Sequence, residues 1–265
     1  MSHITIATLN DMKQAGEKIA VLTCYDASFT RLLEGAGVEV LLVGDSLGMV
    51  IQGQESTLPV GVRDMVYHTR NVARVRSRAL LVADMPFMSY SSAAQALGTA
   101  GRLMKEGGAH MVKLEGGATQ LQTVRQLTDN AIPVCAHLGL LPQSVHKLGG
   151  YRVQGRDEAS ARIMREDARA LQEAGAQMLV LECVPSALAG EISRDLEIPV
   201  IGIGAGPDCD GQVLVLYDML GISPDPFPRF CKNFLAETHS VEEAVAAYVK
   251  AVKQGKFPGP DHTYQ

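Results

Sequence analysis

No pair of cysteines in this sequence has the CxxC spacing, and neither basic residues nor long apolar runs are in excess. Lys and Arg number 24 against 29 Asp and Glu, and the formal net charge of −5 argues against general binding to nucleic acids or anionic membranes. No apolar run approaches the roughly 20 residues of a membrane-spanning helix, and the first residues lack the basic-then-apolar pattern of a signal peptide. We therefore expect a soluble, cytoplasmic protein that binds neither nucleic acid nor membranes.

The five cysteines are scattered and odd in number, which argues against a disulfide framework. They are Cys24, Cys135, Cys183, Cys209 and Cys231. Three of them lie inside apolar, strand-like runs, so we expect buried, reduced thiols. Zinc spacing is also absent, since His137 and His146 lie nine positions apart, on a predicted strand and a predicted loop.

The chain does contain a regular alternation of apolar, strand-like runs with segments of helical periodicity over its 265 residues. The strand-like segments are 18–26, 38–43, 78–87, 109–117, 132–140, 176–184, 198–206 and 211–221. Such alternation predicts βαβ units and a parallel sheet. Eight repeats without a G-x-G-x-x-G after the first strand favour an α/β fold of the closed (β/α)8 TIM-type barrel over a doubly wound sheet. We expect one domain over residues 1–265, with a short N-terminal helix and a C-terminal helix and tail.

Three strands follow one sequence pattern, in which a helix end and a glycine precede a buried strand that ends in an acid. The segments are LLEGAGVEVLLVGDS, LMKEGGAHMVKLEGG and LQEAGAQMLVLECV, and their acids are Asp45, Glu115 and Glu182. Asp84 has the same place after a fourth strand. Because the carboxyl ends of barrel strands converge on one face, we expect all four acids to surround one cavity. Taken alone, an acid in the place of Asp45 is also a common helix cap or turn former.

Crowded carboxylates repel one another, and a bound cation relieves that repulsion. Oxygen ligands alone favour Mg²⁺, Mn²⁺ or Ca²⁺ over zinc, and an open Mg²⁺ site suits a bidentate substrate such as an α-keto acid. Lys113 lies two residues before Glu115 and so points to the same face of its strand. Its partner is either a substrate carboxylate or a neighbouring acid, and the sequence leaves both alternatives open.

Two further features complete the predicted site, a general base and a covering loop. A metal-bound keto acid has acidified hydrogens next to its carbonyl, and Glu182 is the predicted base that removes one of them. Its neighbours Leu181 and Cys183 are apolar and would raise its pKa. The alternatives are that Glu182 is a fourth metal ligand or caps the next helix. The long polar segment 141–158 is expected to lie over the site.

Ten stretches of the chain resemble one protein family closely, in order and over nearly the whole length. They are TCYDASFTRLLEGAG (23–37), LLVGDSLGMVIQG (41–53), STLPV (56–60), ADMPFMSY (83–90), MVKLEGG (111–117), HLGLLPQS (137–144), GGYRVQGR (149–156), LVLECVP (179–185), IPVIGIGAG (198–206) and DGQVLVLYDMLGI (210–222). The family is that of ketopantoate hydroxymethyltransferase, and VGDSLGM and GGYRVQGR are among its specific motifs.

The resemblance implies a phosphoenolpyruvate mutase/isocitrate lyase-like barrel that uses Mg²⁺ and, as co-substrate, 5,10-methylenetetrahydrofolate. It implies transfer of a hydroxymethyl group to the Mg²⁺-bound enolate of 3-methyl-2-oxobutanoate. The product is 2-dehydropantoate (ketopantoate), an intermediate of pantothenate and coenzyme A biosynthesis. Family members form large homo-oligomers, and a decamer is the implied assembly.

The resemblance also implies a role for each candidate residue. The metal ligands are Asp45, Asp84 and Glu115, the last of them bound directly or through water. The residues in contact with the substrate are Asp45, Ser46, Asp84 and Lys113. Glu182 is the base that takes the C3 proton. Of these residues, only Ser46 comes from the resemblance alone, and the choice between tetrahydrofolate and another pterin carrier stays open.

Two other functions compete with this interpretation. A carbon–carbon lyase or hydrolase of the same barrel type usually carries a reactive cysteine on a flexible loop, and segment 141–158 contains no cysteine. A non-catalytic barrel kept as a scaffold would be expected to lose some of the acids. Asp45, Asp84, Lys113, Glu115 and Glu182 are all present, which favours an enzyme.

Overall fold

Eight parallel strands close into a barrel in the computed structural model, which describes residues 3–150, 152–223 and 227–265. The strands are β1 (Ile19–Thr23), β2 (Val40–Val43), β3 (Leu80–Asp84), β4 (Met111–Glu115), β5 (Val134–Gly139), β6 (Met178–Glu182), β7 (Val200–Ile203) and β8 (Gly211–Leu214). Each strand pairs with the next along the chain, and β8 pairs with β1. The predicted (β/α)8 barrel is therefore confirmed, whereas the single domain over residues 1–265 stays a prediction.

Helices connect the strands and cover the outer face of the barrel. They are α1 (Ile6–Gln14), α2 (Ala27–Gly35), α3 (Leu47–Val50), α4 (Val62–Ala73), α5 (Ala93–Lys105), α6 (Leu121–Asp129), α7 (Val145–Leu148), α8 (Glu158–Glu173), α9 (Ser186–Asp195), α10 (Leu216–Met219) and α11 (Val241–Lys253). In the described part of the chain, no helix is long and apolar enough to cross a membrane.

The strands are buried on both faces, because helices cover the outside and side chains fill the inside. Every residue of β1, β2, β3 and β4 is buried. Apolar side chains such as Val21, Val40 and Val180 fill the barrel interior around Lys113. All five cysteines are buried and free of disulfides, as the sequence predicts.

The eighth strand is shorter than the apolar run 211–221 predicts. β8 ends at Leu214, and the chain turns at once into α10. The amide of Leu216 donates a hydrogen bond to Oγ1 of Thr23 at 2.9 Å instead of extending the ladder. An apolar run by itself does not distinguish a buried strand from a buried helix, so the sequence could not mark this boundary.

The polar segment 141–158 is partly helical. It contains a 3₁₀ turn at Pro142–Ser144 and then α7, which ends at Gly149 in the left-handed conformation with φ of 68°. Tyr151, within the GGYRVQGR motif, lies outside the described residues. The 3₁₀ turn brings Gln143 back to the mouth of the barrel, where the side chain is buried.

Strand register sets which residues meet at the carboxyl ends of the strands. Asp84, the last residue of β3, lies directly beside Lys113 of β4. Glu115, at the end of β4, lies beside His137 of β5. The next step around the barrel sets Gly139 of β5 beside Glu182 of β6. Adjacent strands thus carry a continuous row of polar side chains along one rim.

Gly139 allows β5 and β6 to approach closely beside Glu182. Its φ is 92°, a conformation that residues with a side chain rarely adopt. A Cβ at this position would lie 2.2 Å from the main-chain oxygen of Glu182. The same oxygen accepts a hydrogen bond from the amide of Leu140 at 2.8 Å. The glycine therefore lets the end of β6 lie against β5, where the Leu140 amide binds it.

Replacing Gly139 with alanine should lower the free energy of unfolding by about 2–4 kcal/mol, because left-handed strain adds to overpacking. Urea denaturation measures this change. The control is Gly98→Ala on α5, where nothing lies within 4 Å of an added Cβ. Removing a helical glycine should raise stability there by about 0.5–1 kcal/mol. An unchanged free energy of unfolding in Gly139→Ala would contradict the close approach of β5 and β6.

Candidate active site

The four acids singled out in the sequence come together at the carboxyl ends of the barrel strands. Asp45 follows β2, and Asp84, Glu115 and Glu182 are the last residues of β3, β4 and β6. The amide of Asp45 donates a hydrogen bond to Oδ2 of Asp84 at 3.0 Å. The charges of Asp45, Asp84 and Glu182 all act on Glu115. These four residues are called the acidic cluster below.

Lys113 supplies a positive charge to the acidic cluster. Its Nζ lies 2.9 Å from Oδ1 of Asp84, and both side chains are buried. Burial lowers the pKa of Lys113, but the charges of Asp84, Glu115 and Asp45 outweigh burial and raise that pKa above its ordinary value. The structure therefore shows the salt bridge that the sequence left open as one alternative.

A single lysine does not neutralise the acids around it. Burial, followed by repulsion from Asp84, raises the pKa of Asp45 to about 7. Burial and the charge of Asp45 raise the pKa of Glu115 well above its ordinary value. In the described part of the chain, no three His, Cys, Asp or Glu side chains form a ready-made metal cage. The carboxylates instead contact Lys113 and Gln143.

Glu182 is the most accessible member of the acidic cluster. Its side chain is 14% exposed, against 4% for Asp84 and 3% for Glu115. Burial raises the pKa of Glu182 to about 8, with Lys113 lowering it and Asp84 raising it further. A carboxyl group with this pKa is suited to general acid–base chemistry near neutral pH.

His137 lies between two of the acids, a role that the sequence did not predict. Nε2 lies 3.2 Å from Oε2 of Glu182, and Nδ1 lies 3.7 Å from Oε1 of Glu115. Burial and then the charge of Lys113 lower the pKa of His137 well below its ordinary value, so the imidazole is neutral. The available sequence signal was its position on β5, two residues before Gly139 and on the same face.

Ser46, which came only from the resemblance, lies next to the acidic cluster. Its hydroxyl is 2.9 Å from the hydroxyl of Tyr25, a residue that follows β1. Burial raises the pKa of Tyr25, so its hydroxyl is protonated and able to donate. The Tyr25 hydroxyl thus orients Ser46 beside Asp45, and sequence reasoning did not select this tyrosine.

The structure also tests the helix-cap alternatives for Asp45 and Glu182. Asp26 is a true cap, since its Oδ1 accepts from the amides of Ser28 and Phe29 at the start of α2. Asp45 is not a cap, because its Oδ2 accepts from Nε2 of Gln143 at 2.8 Å. The helix after Glu182 has Pro185 at its N-cap position and no side-chain capping bond. Neither Asp45 nor Glu182 is therefore explained as a cap.

The raised pKa of Glu182 predicts a pH-dependent stability for the metal-free protein. The fold favours the neutral carboxyl, so its contribution is complete below the ordinary pKa of 4.5 and is lost as pH rises through about 8. In chelator-treated protein, the free energy of unfolding, measured with urea, should fall less steeply over this pH range in Glu182→Gln than in the wild type. Glu173→Gln, an exposed acid at the end of α8, serves as control. If the free energy of unfolding depended on pH in the same way in the wild type and in Glu182→Gln, the raised pKa of Glu182 would be contradicted.

Solved structures with the same barrel provide the first comparison. A 2,3-dimethylmalate lyase, described as a PEP mutase/isocitrate lyase superfamily member, is 19% identical with a TM-score of 0.59 over 83% of each chain. A phosphonopyruvate hydrolase in complex with oxalate and Mg²⁺ is 13% identical with a TM-score of 0.60, covering 79% of this chain and 80% of the other. These likenesses show the fold alone and confirm the predicted barrel type.

Sequence relatives identify the family directly. The 3-methyl-2-oxobutanoate hydroxymethyltransferase of Nitrosococcus oceani is 64% identical over 258 residues, which cover 97% of this chain and 98% of the relative. The model of a family described as ketopantoate hydroxymethyltransferase matches residues 3–260. Both findings confirm the predicted enzyme class, a hydroxymethyltransferase, over the competing lyase and scaffold functions. The chain belongs to the ketopantoate hydroxymethyltransferase family.

Proposed function

We propose that this chain transfers a hydroxymethyl group from 5,10-methylenetetrahydrofolate to the enolate of 3-methyl-2-oxobutanoate, giving 2-dehydropantoate for pantothenate and coenzyme A biosynthesis. The name shared by close relatives supports the keto acid and the transferred group. The observation that carries the proposal is the convergence of the acidic cluster and Lys113 on one end of the barrel. The folate co-substrate rests on the resemblance.

The donor set fits a bound Mg²⁺. Asp45, Asp84 and Glu115 offer buried carboxylate oxygens, which this hard cation prefers. Burial and, after it, the charge of a neighbouring carboxylate raise the pKa values of Asp45 and Glu115, and a bound cation would offset both effects. Asp45 and Asp84 would bind the ion, joined by Glu115 directly or through water. When bound, Mg²⁺ acts as a Lewis acid that acidifies the hydrogens next to the keto carbonyl.

Lys113 and Ser46 are the proposed contacts for the substrate carboxylate. The ammonium of Lys113 is buried, so a second anion beside it would be bound in a medium that screens charge weakly. The hydroxyl of Ser46, held by Tyr25, supplies a neutral donor on the neighbouring strand end. Together with Asp45 and Asp84, these groups orient the keto acid and exclude water from its polar end.

Glu182 is the proposed base that removes the C3 proton. The pair of electrons from the broken C–H bond forms the enolate, and the proton moves to the Glu182 carboxylate. The imidazole of His137, which is neutral, lies 3.2 Å from that carboxylate. The enolate carbon then bonds to the methylene carbon as the first of its two C–N bonds to the folate breaks. Water adds its oxygen to that carbon as the second C–N bond breaks, and tetrahydrofolate leaves after its two nitrogens take one proton from Glu182 and one from the water.

The proposal includes three features that rest on the sequence and the resemblance. We infer a homo-oligomer, with a decamer as the implied number of copies. We also infer a cytoplasmic location and a single domain spanning the chain. Sedimentation equilibrium of the purified protein measures the number of copies directly.

Glu182→Gln should lower turnover at least ~10²-fold, the scale of a lost general base, while keto acid binding is retained. The measurement follows the C3 proton of 3-methyl-2-oxobutanoate by NMR in D₂O, with enzyme and Mg²⁺ and without folate. Exchange should require the metal and disappear in the variant, whereas Glu173→Gln should exchange at the wild-type rate. Wild-type turnover in Glu182→Gln would refute the assigned base.

Asp84→Ala should weaken Mg²⁺ binding at least ~10-fold, a loss seen even when only the groups orienting a ligand are removed. The keto acid is proposed to bind next to the metal, so its binding should fall as well. Calorimetric titration of Mg²⁺ in the presence of 3-methyl-2-oxobutanoate measures both effects. Asp129→Ala, an exposed position at the end of α6, is the control. An unaltered titration would remove Asp84 from the metal site.

A further inference from the structure

Gln143 lies at the centre of the site, although none of the predicted functions involves it. The residue is buried, within the 3₁₀ turn that follows β5. Its Nε2 donates to Oδ2 of Asp45 at 2.8 Å and to the main-chain oxygen of Met85 at 3.0 Å. Its main-chain amide donates to Oε2 of Glu115 at 3.0 Å. The turn after β5 is thus joined through one residue to the segments that follow β2 and β3 and to the end of β4.

The orientation of the Gln143 side chain is fixed by the nature of its partners. The main-chain oxygen of Met85 only accepts, so the atom beside it must be the amide nitrogen. Both hydrogens of that nitrogen are then used, one on Met85 and one on Asp45. The amide oxygen accepts from the hydroxyl of Tyr90. A flipped amide would set two oxygens against each other at Met85, so one rotamer is selected.

Tyr90 supports this arrangement from the segment after β3. Its hydroxyl donates to Oε1 of Gln143 and lies 3.4 Å from the amide of Glu115. Among the described residues, the hydrogen bonds that connect Tyr90 to Asp45 pass through Gln143. Hydrogen bonds therefore connect Tyr90 to Gln143 and Gln143 to Asp45.

We propose that Gln143 is a positioning residue that sets the orientation and spacing of the Asp45 and Glu115 carboxylates for the metal, and that Tyr90 acts through it. This inference rests on the proposed Mg²⁺ site. The side chain of Gln143 donates to Asp45, and the main-chain amide of Gln143 donates to Glu115. Each carboxylate keeps one further oxygen for the ion, and the turn after β5 becomes part of the site.

A matched glutamine lies in the same segment. Nε2 of Gln154 donates to the main-chain oxygen of Arg152, within its own loop, at 2.9 Å. Replacing either glutamine with methionine keeps the length of the side chain and removes its donors and acceptor. Both variants lose a polar side chain in this segment, but only Gln143→Met also loses the contact with Asp45. Comparing them therefore isolates the effect of that contact.

The experiment titrates Mg²⁺ alone into chelator-treated protein by calorimetry. Gln143→Met should weaken Mg²⁺ binding ~10–100-fold, the range found when groups that orient metal ligands are removed. Gln154→Met should bind as the wild type does. Turnover of Gln143→Met should recover as Mg²⁺ is raised, a response that a purely structural role does not give.

Tyr90→Phe provides a second variant in case Gln143→Met does not fold. It should weaken Mg²⁺ binding by a smaller factor, because the amide of Gln143 loses its fixed orientation. In the Gln143→Met background the same change should have no further effect, since Tyr90 acts through Gln143. Additive losses would overturn the proposed chain of contacts.

The outcomes separate this inference from the proposed function. Wild-type Mg²⁺ affinity in both Gln143→Met and Tyr90→Phe would overturn the positioning role and leave the proposed reaction standing. Absence of Mg²⁺ binding by the wild type would overturn the proposed metal site and this inference with it. Metal-dependent proton exchange that disappears in Glu182→Gln tests the reaction independently of both results.

Discussion

Burying four carboxylates around one ammonium group is the constraint on which this site depends. Charges attract and repel strongly where water is excluded. Burial and, after it, repulsion from a neighbouring acid raise the pKa values of Asp45 and Glu115. The salt bridge between Lys113 and Asp84 offsets part of this repulsion. The donors of Gln143 satisfy one oxygen on each of two other acids. The remaining charge is what makes the site suited to a cation.

The barrel supplies this constraint through its register. Asp84 and Lys113 are directly paired on adjacent strands, so their opposite charges lie side by side. Two strands further on, Glu182 is paired with Gly139, whose backbone allows close approach. The salt bridge thus lies at the carboxyl ends of β3 and β4, and the proposed base lies at the end of β6.

The same barrel occurs in a lyase and a hydrolase at low sequence identity, so the fold does not set the reaction. What distinguishes this chain is its set of side chains at the strand ends and the loops that hold them. Ser46 with Tyr25, and Gln143 with Tyr90, are examples of contacts made by loop residues. Chemistry in this fold changes by altering such loops while the strands remain.

Strand periodicity and the place of an acid after a strand are local patterns, so they were enough to predict the barrel, the four acids and Lys113. The predicted eighth strand was too long, since apolar runs form buried helices as well. The contacts between these residues come from folding: Lys113 pairs with Asp84, His137 lies beside Glu182, and Gln143 donates to Asp45. Asp45 and Gln143 are 98 residues apart, and only barrel closure makes such positions neighbours.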